Sequence, residues 1–244
     1  MPCILITGAG GGIGRALVPL LTREWPDHRL ILVGRDRARL EVVAPADAVV
    51  HPADTSDEAQ VATLGPVIEA HGPLAGIAHL AGSLLLKPLH RTSFADWRAT
   101  QAASLDSAFL VTRLAVERML AQSSPVSVVL MSSVAARLGL PNHEAIAAAK
   151  GGVEGLVRAA AATYADKGFR CNAVAPGLTV TPLTQGLVST PAAQAASTAM
   201  HPLGRLGTPE DQASAIAWLL SPASSWVTGQ VIGVDGGLGV LRRR

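Results

Sequence analysis

The sequence predicts an α/β chain of the doubly wound type, a parallel sheet covered by helices on both faces. Three observations carry that expectation. Short apolar runs rich in Val, Ile, Leu and Ala alternate with helical patterns along the whole chain. Those runs are largely unbroken by polar residues, as expected of strands buried on both faces. A cluster of glycines follows the first run, where a tight strand-to-helix turn needs residues free to take positive φ.

About seven strands are expected, at Cys3–Thr7, Arg29–Val33, Ala48–Ala53, Gly76–Leu80, Ser127–Ser132, Arg170–Ala175 and Gln230–Val234. Helical stretches lie between them, at Arg15–Glu24, Phe94–Gln122, Ala145–Lys167 and Pro209–Leu220. Strand, helix, strand, repeated, calls for right-handed crossovers. No repeat, low-complexity tract or linker divides the chain, so residues 1–244 read as a single domain. The most loosely patterned region, Leu178–Gly207, carries Pro182, Pro191 and Pro202. A long late excursion of this kind is expected to act as a substrate lid.

Composition narrows the class. The 244 residues are 49% hydrophobic, which excludes a disordered chain. A net charge of +2 gives no reason to expect nucleic acid as partner, because counterion-driven binding needs a concentrated basic stripe. The one basic run, Arg242–Arg243–Arg244, reads as a solvated tail. Cys3 and Cys171 make no disulfide framework and have no metal-site neighbours, so both are expected buried in reducing conditions. No charged-then-apolar leader opens the sequence, and no apolar stretch reaches the roughly 18 residues of a spanning helix. A cytoplasmic protein without membrane or metal partner is expected.

The glycine cluster, Thr7-Gly8-Ala9-Gly10-Gly11-Gly12-Ile13-Gly14, lets backbone amides and the positive end of a helix approach a pyrophosphate. Placed between strand and helix, it predicts a Rossmann-type dinucleotide site. The second strand then ends in Leu32-Val33-Gly34-Arg35-Asp36-Arg37. An acidic residue at this point binds the ribose 2′-hydroxyl of NAD, an arginine the 2′-phosphate of NADP. Arg35 comes first, with Arg37 as helper and Asp36 one residue late, so NADP(H) is expected over NAD(H). Asp54, after the third strand, is the candidate acceptor for the adenine amino group.

These motifs resemble those of the short-chain dehydrogenase/reductase family, and the resemblance covers almost the whole chain. Thr7-Gly8-x-x-x-Gly12-x-Gly14 is similar to its cofactor turn. Asn172-Ala173-Val174-Ala175-Pro176-Gly177, with Thr181 four residues on, is similar to the motif that borders the nicotinamide. Thr228-Gly229-Gln230 and Val234-Asp235-Gly236-Gly237 resemble its last strand, and Pro202-Leu203-Gly204-Arg205 with Thr208-Pro209-Glu210-Asp211 the segment before its last helix.

The resemblance implies catalysis by serine, tyrosine and lysine, assisted by asparagine. Ser133, placed at the end of the fifth strand, would hydrogen-bond the substrate oxygen, and Lys150, opening the helix that runs to Tyr164, would hold the nicotinamide ribose. The tyrosine position, one turn before the lysine, is Ile146, which has no proton to give. The asparagine position carries Ser104, and the family's Asn-Asn-Ala-Gly reads His79-Leu80-Ala81-Gly82. Tyr164 is the only tyrosine, and at helical rise it stands roughly 20 Å from Lys150.

Three expectations follow. His143, two turns before Lys150 like the tyrosine of the superfamily's enoyl reductases, could donate the proton, with Glu144 a weaker candidate. A conjugated enone or enoyl thioester could be reduced with Ser133, Lys150 or water handling the proton. Or the chain is a catalytically silent subunit completing an oligomer with an active paralogue. The family commonly assembles through helices matching Phe94–Gln122 and Ala145–Lys167, so a homo-oligomer (dimer or tetramer) or such a hetero-oligomer is expected, acting on a small-molecule substrate.

Overall fold

The computed structural model describes residues 1–242. Arg243 and Arg244 of the basic run lie outside the described residues. Seven strands pair in parallel: β1 (Cys3–Thr7), β2 (Arg29–Gly34), β3 (Val49–Pro52), β4 (Leu74–His79), β5 (Val126–Met131), β6 (Phe169–Pro176) and β7 (Val231–Val234). Their order is β3-β2-β1-β4-β5-β6-β7. The winding direction reverses between β1 and β4, and in an open sheet that reversal leaves a crevice outside the carboxyl ends of the strands.

Side chains along each strand alternate between two cores. Ile4 and Ile6 of β1 point to the face covered by α1 (Gly12–Glu24) and α9 (Pro209–Leu220), where they join Leu17, Leu21, Ile216 and Leu219. Cys3 and Leu5 point the other way, toward Val111 and Leu114 of α6 (Ser107–Gln122) and Val153 and Val157 of α7 (Glu144–Tyr164). Both faces being covered explains why the strands read as unbroken apolar runs. Cys3 and Cys171 are buried free thiols, pushed up to about 11 and about 12 by burial.

Several boundaries differ from the sequence expectation. Strand ends move by one or two residues, and pairing in β5 stops at Met131, so Ser133 lies beyond the strand and caps a 3₁₀ turn, Val134–Ala136. Lys150 does not open its helix, because α7 already starts at Glu144. The stretch Phe94–Gln122 is α5 (Phe94–Gln101), a π-helical turn Ala102–Asp106, and then α6. Three short helices escaped notice, α2 (Arg37–Glu41), α3 (Glu58–Ala62) and α4 (Leu64–His71).

The loosely patterned excursion also holds a helix, α8 (Pro191–Met200), started by Thr190, whose hydroxyl accepts from the Ala193 amide, and by Pro191 in its first turn. None of its residues is buried. Alanine dominates its sequence and Met200 is its one large aliphatic side chain, so it lacks the run of large core residues that marks the other long helices.

Arg170 of β6 ties the sheet to the end of α9. Its guanidinium donates to the carbonyls of Leu219, Leu220, Ser221 and Val227 and to the Ser224 hydroxyl. Helix-end carbonyls lack partners within the helix, so this one side chain satisfies a cluster of them. Arg170→Leu is expected to cost ~2 kcal/mol by removing five charge-assisted hydrogen bonds at once, although the Leu219, Ser221 and Val227 carbonyls keep other donors. Urea unfolding should show the loss, with Arg170→Lys recovering only part of it.

Candidate active site

The glycine turn is shaped by contact as well as by φ. Gly8 has φ +66°, and a Cβ there would stand 2.8 Å from the Ala81 amide nitrogen. The turns after β1 and β4 therefore touch backbone to backbone. A Cβ on Gly14 would run into the Ala9 carbonyl, so α1 packs back on the turn only because that residue is glycine. One on Gly12 would come within 2.8 Å of the Thr181 side chain, so the connection after β6 reaches over the turn. Gly10 lies against Arg39, and its carbonyl accepts from Arg15 Nε. Half-buried Ile13 packs into the core beneath. Gly11, at the N-terminus of α1, supplies no side-chain cap. The first amides of the helix are left for a ligand, a donor set that fits a pyrophosphate.

At the end of β2, Arg35 is exposed and has no hydrogen-bond or ion-pair partner among the described residues. Asp36 caps α2 instead, accepting from the Arg39 amide at 3.2 Å and pairing with Arg39 Nε at 3.3 Å. Arg37 pairs with Glu41 at 3.5 Å on the helix surface. Asp54 accepts through Oδ1 from both the amide and the hydroxyl of Ser56, at 2.9 and 2.7 Å. Its other carboxylate oxygen, Oδ2, has no side-chain hydrogen bond among the described residues.

Between β1 and α6 runs a buried polar chain centred on His79. The Ser107 hydroxyl donates to the Ala103 carbonyl at 2.8 Å, so it accepts from His79 Nε2, 3.1 Å away. His79 Nδ1 then accepts from the Thr7 hydroxyl at 2.8 Å, which itself accepts from the Ala81 amide. Every atom in this chain is satisfied only if the imidazole is neutral. Burial, with the nearby Lys150 charge second, holds its pKa down to about 3.

Lys150 lies beneath the carboxyl end of β5. Its ammonium donates to the Met131 carbonyl at 2.7 Å. Burial lowers its pKa from 10.5 to about 8. Gly82 leaves room above it, since a Cβ there would stand 3.5 Å from Nζ and 3.8 Å from the Ser104 hydroxyl. The Ser83 hydroxyl, next in the chain, is buried with no partner. Ile146, one turn before Lys150 on α7, is buried like it.

Ser133 Oγ accepts from the Ala135 amide at 3.1 Å, which leaves its proton free for another oxygen. The preceding Ser132 donates to buried Glu154 at 2.9 Å, and Glu154 is paired with Arg137 at 2.8 Å. This network, which sequence reasoning missed, fixes the end of β5 against α7. His143 is the residue just before α7: its carbonyl accepts the first helical bond, from the Ala147 amide, but its backbone (φ −105°, ψ 11°) is not helical, so the helix itself begins one residue later. Its Nδ1 donates to the Pro141 carbonyl at 2.8 Å, leaving Nε2 as the free ring nitrogen. Glu144 is exposed in the first turn. Tyr164 ends the same helix, edge-on to Phe169 at 6.0 Å, far from this group.

Pro176 closes β6, and Gly177 allows His201 to approach: a Cβ there would stand 2.8 Å from His201 Nε2. Buried His201 accepts from the Leu178 amide and donates to the Ser197 carbonyl, holding the two ends of the excursion together. A single histidine in an uncharged stretch gave no signal of this role in the sequence.

A crevice at the strand reversal, a helix start open to pyrophosphate, and a buried lysine beside it define a dinucleotide-binding α/β protein. The comparisons agree. A family model described as enoyl-(acyl carrier protein) reductase matches residues 8–239. The chain is 36% identical to 2-(S)-hydroxypropyl-CoM dehydrogenase 3 of Xanthobacter autotrophicus, covering 96% of this chain and 95% of that one. It is also 36% identical to that organism's inactive 2-(S)-hydroxypropyl-CoM dehydrogenase 2, over 86% and 94%. The crystal structure of levodione reductase superposes with a TM-score of 0.90 at 31% identity, covering 99% of this chain and 98% of that one. The chain belongs to the short-chain dehydrogenase/reductase family, oxidoreductases that use NAD(P) cofactors.

Two pH profiles test the buried groups. His79 is depressed in the folded state, so the unfolded chain binds the extra proton and stability falls as pH drops from about 6.5 toward 3. His79→Asn should show a flatter melting-temperature profile over that window. Lys150 is depressed from 10.5 to about 8, so its burial penalty is complete below pH 8 and relieved as pH rises toward 10.5. Relative to Lys150→Met, the unaltered protein should gain a few degrees of melting temperature across that range.

Proposed function

We propose that this protein transfers hydride between NADP(H) and a small carbonyl or enoyl compound, using an active site in which Ile146 occupies the position of the family's tyrosine. The observation that carries the reading is buried Lys150, pinned to the Met131 carbonyl under a glycine-lined crevice, with the Ser133 proton free nearby in the fold. When bound, the cofactor supplies the hydride. The side chains do the rest. Ser133 donates to the substrate oxygen, Lys150 holds the nicotinamide ribose, and its positive charge favours developing negative charge on that oxygen. His143 is the proton donor as the imidazolium, giving up the Nε2 proton while Nδ1–H stays on the Pro141 carbonyl. The description of the matching family model, an enoyl reductase, supports the enoyl part of that substrate class.

The cofactor-binding set is Thr7, Gly8, Gly10, Gly12, Ile13, Gly14, Arg35, Asp54, Ala81, Gly82, Pro176, Gly177 and Thr181 together with Lys150. NADP(H) is preferred over NAD(H) because Arg35 is unpaired whereas Asp36 is committed to capping α2. Residues 1–244 act as one domain, in a reducing compartment such as the cytoplasm, and the chain assembles as a dimer or tetramer. A silent subunit is the second reading, favoured by Ile146 and by the relative named as inactive. The dehydrogenases and reductases among the relatives favour the enzyme.

Titration with NADPH and NADH, followed by a carbonyl and enoyl panel, tests the proposal. NADPH should bind at least tenfold more tightly, and Arg35→Asp should remove that margin. Turnover should fall ~10²-fold or more in Ser133→Ala and in His143→Ala with NADPH binding intact. Full turnover in His143→Ala would remove the histidine from the mechanism. Tight binding with no turnover on any compound would favour the silent subunit.

A further inference from the structure

We infer that the substrate is an uncharged compound with an apolar body, and that a substrate bearing a carboxylate, sulfonate or phosphate, or a polyol, is excluded. The inference rests on the crevice described above being where substrate meets cofactor. In the sheet, β4, β5 and β6 are consecutive neighbours, so the connections leaving their carboxyl ends stand side by side. The Lys87 amide donates to the Asn142 carbonyl at 2.9 Å, joining the first two directly. Those three connections carry Leu84, Leu85, Leu86, Leu138, Leu140 and Leu187, all half-buried. Leucines left half-buried on loops around a crevice offer apolar surface that a ligand can cover.

Charge is missing from the same places. No Asp, Glu, Lys or Arg occurs from Leu178 to Gly204, nor from Leu80 to Leu86, nor from Leu138 to His143. The cations bordering these stretches are already paired: Lys87 with Asp96 at 2.6 Å, Arg137 with Glu154 at 2.8 Å and Arg205 with Asp211 at 2.6 Å. An anionic substrate would lose its hydration there, and the buried cation at the crevice, Lys150, already donates to the Met131 carbonyl. A polyol would find partners for only part of its hydroxyls: those of Ser83 and Ser133 are free, but three threonines of the connection after β6 are occupied. Thr184 donates to the Thr179 carbonyl and accepts from the Thr181 amide, Thr179 accepts from Gln212, and Thr190 caps α8.

The test is the thermal shift of the NADPH-saturated protein, with 4-tert-butylcyclohexanone, 4-oxocyclohexanecarboxylate and fructose as probes. Binding is read without turnover, so a catalytically silent protein still gives an answer. The neutral ketone should stabilise the complex at a concentration at least tenfold below that needed for the other two. Leu187→Arg should narrow or reverse the margin over the carboxylate. Equal or stronger binding of the carboxylate or fructose by the unaltered protein would overturn the inference while leaving the oxidoreductase reading standing. So would the failure of all three to bind. Failure of NADPH itself to bind would overturn the underlying reading, and the inference with it.

Discussion

The hydrogen bond from Lys150 to the Met131 carbonyl is the contact on which the site depends. It joins the first third of α7 to the carboxyl end of β5, and it keeps an ammonium group where water is scarce. Such a group is costly to bury, and the cost appears as a pKa pulled down to about 8. The surrounding residues accommodate the charge. Gly82 leaves the space above it open, and His79, closest in electrostatic terms, stays neutral because Thr7 and Ser107 hold both of its nitrogens. A protonated imidazole there would set two buried cations against each other.

A second constraint is the close approach of backbones at the top of the sheet. Gly8 against Ala81, Gly14 against Ala9 and Gly12 against Thr181 bring the connections after β1, β4 and β6 within contact of one another. Side chains at these glycines would push the segments apart, and the helix start would no longer face the crevice. The same packing keeps the excursion after β6 over the phosphate turn, with His201 fastening its two ends and α8 left unburied above. An element with no buried residue has few packing contacts to hold it in one place.

Most of the fold was legible because parallel strands buried on both faces leave a strong composition signal. The strand at Cys3–Thr7 and the helix at Pro209–Leu220 fall where the pattern puts them. The short helices were not legible, since α2 and α3 owe their start to the caps Asp36 and Asp57 rather than to any apolar period. Of the site, the glycine turn, Arg35, Ser133 and Lys150 could be named from spacing and resemblance. The partners of Lys150 and His79 could not, because a carbonyl such as that of Met131 is invisible in a residue pattern. The Ser132–Glu154–Arg137 network joins residues that are distant in sequence and individually ordinary, so only the packed chain reveals it.

The central claim is that a site without a tyrosine at position 146 still moves hydride. The most direct measurement is mass analysis of product formed from NADPH carrying deuterium at both C4 positions of the nicotinamide and a neutral ketone or enone. Transfer by this protein predicts one deuterium in the product, with none in the product of a parallel incubation lacking protein. Product free of deuterium, or no product from a complex that binds both NADPH and ketone, would contradict it.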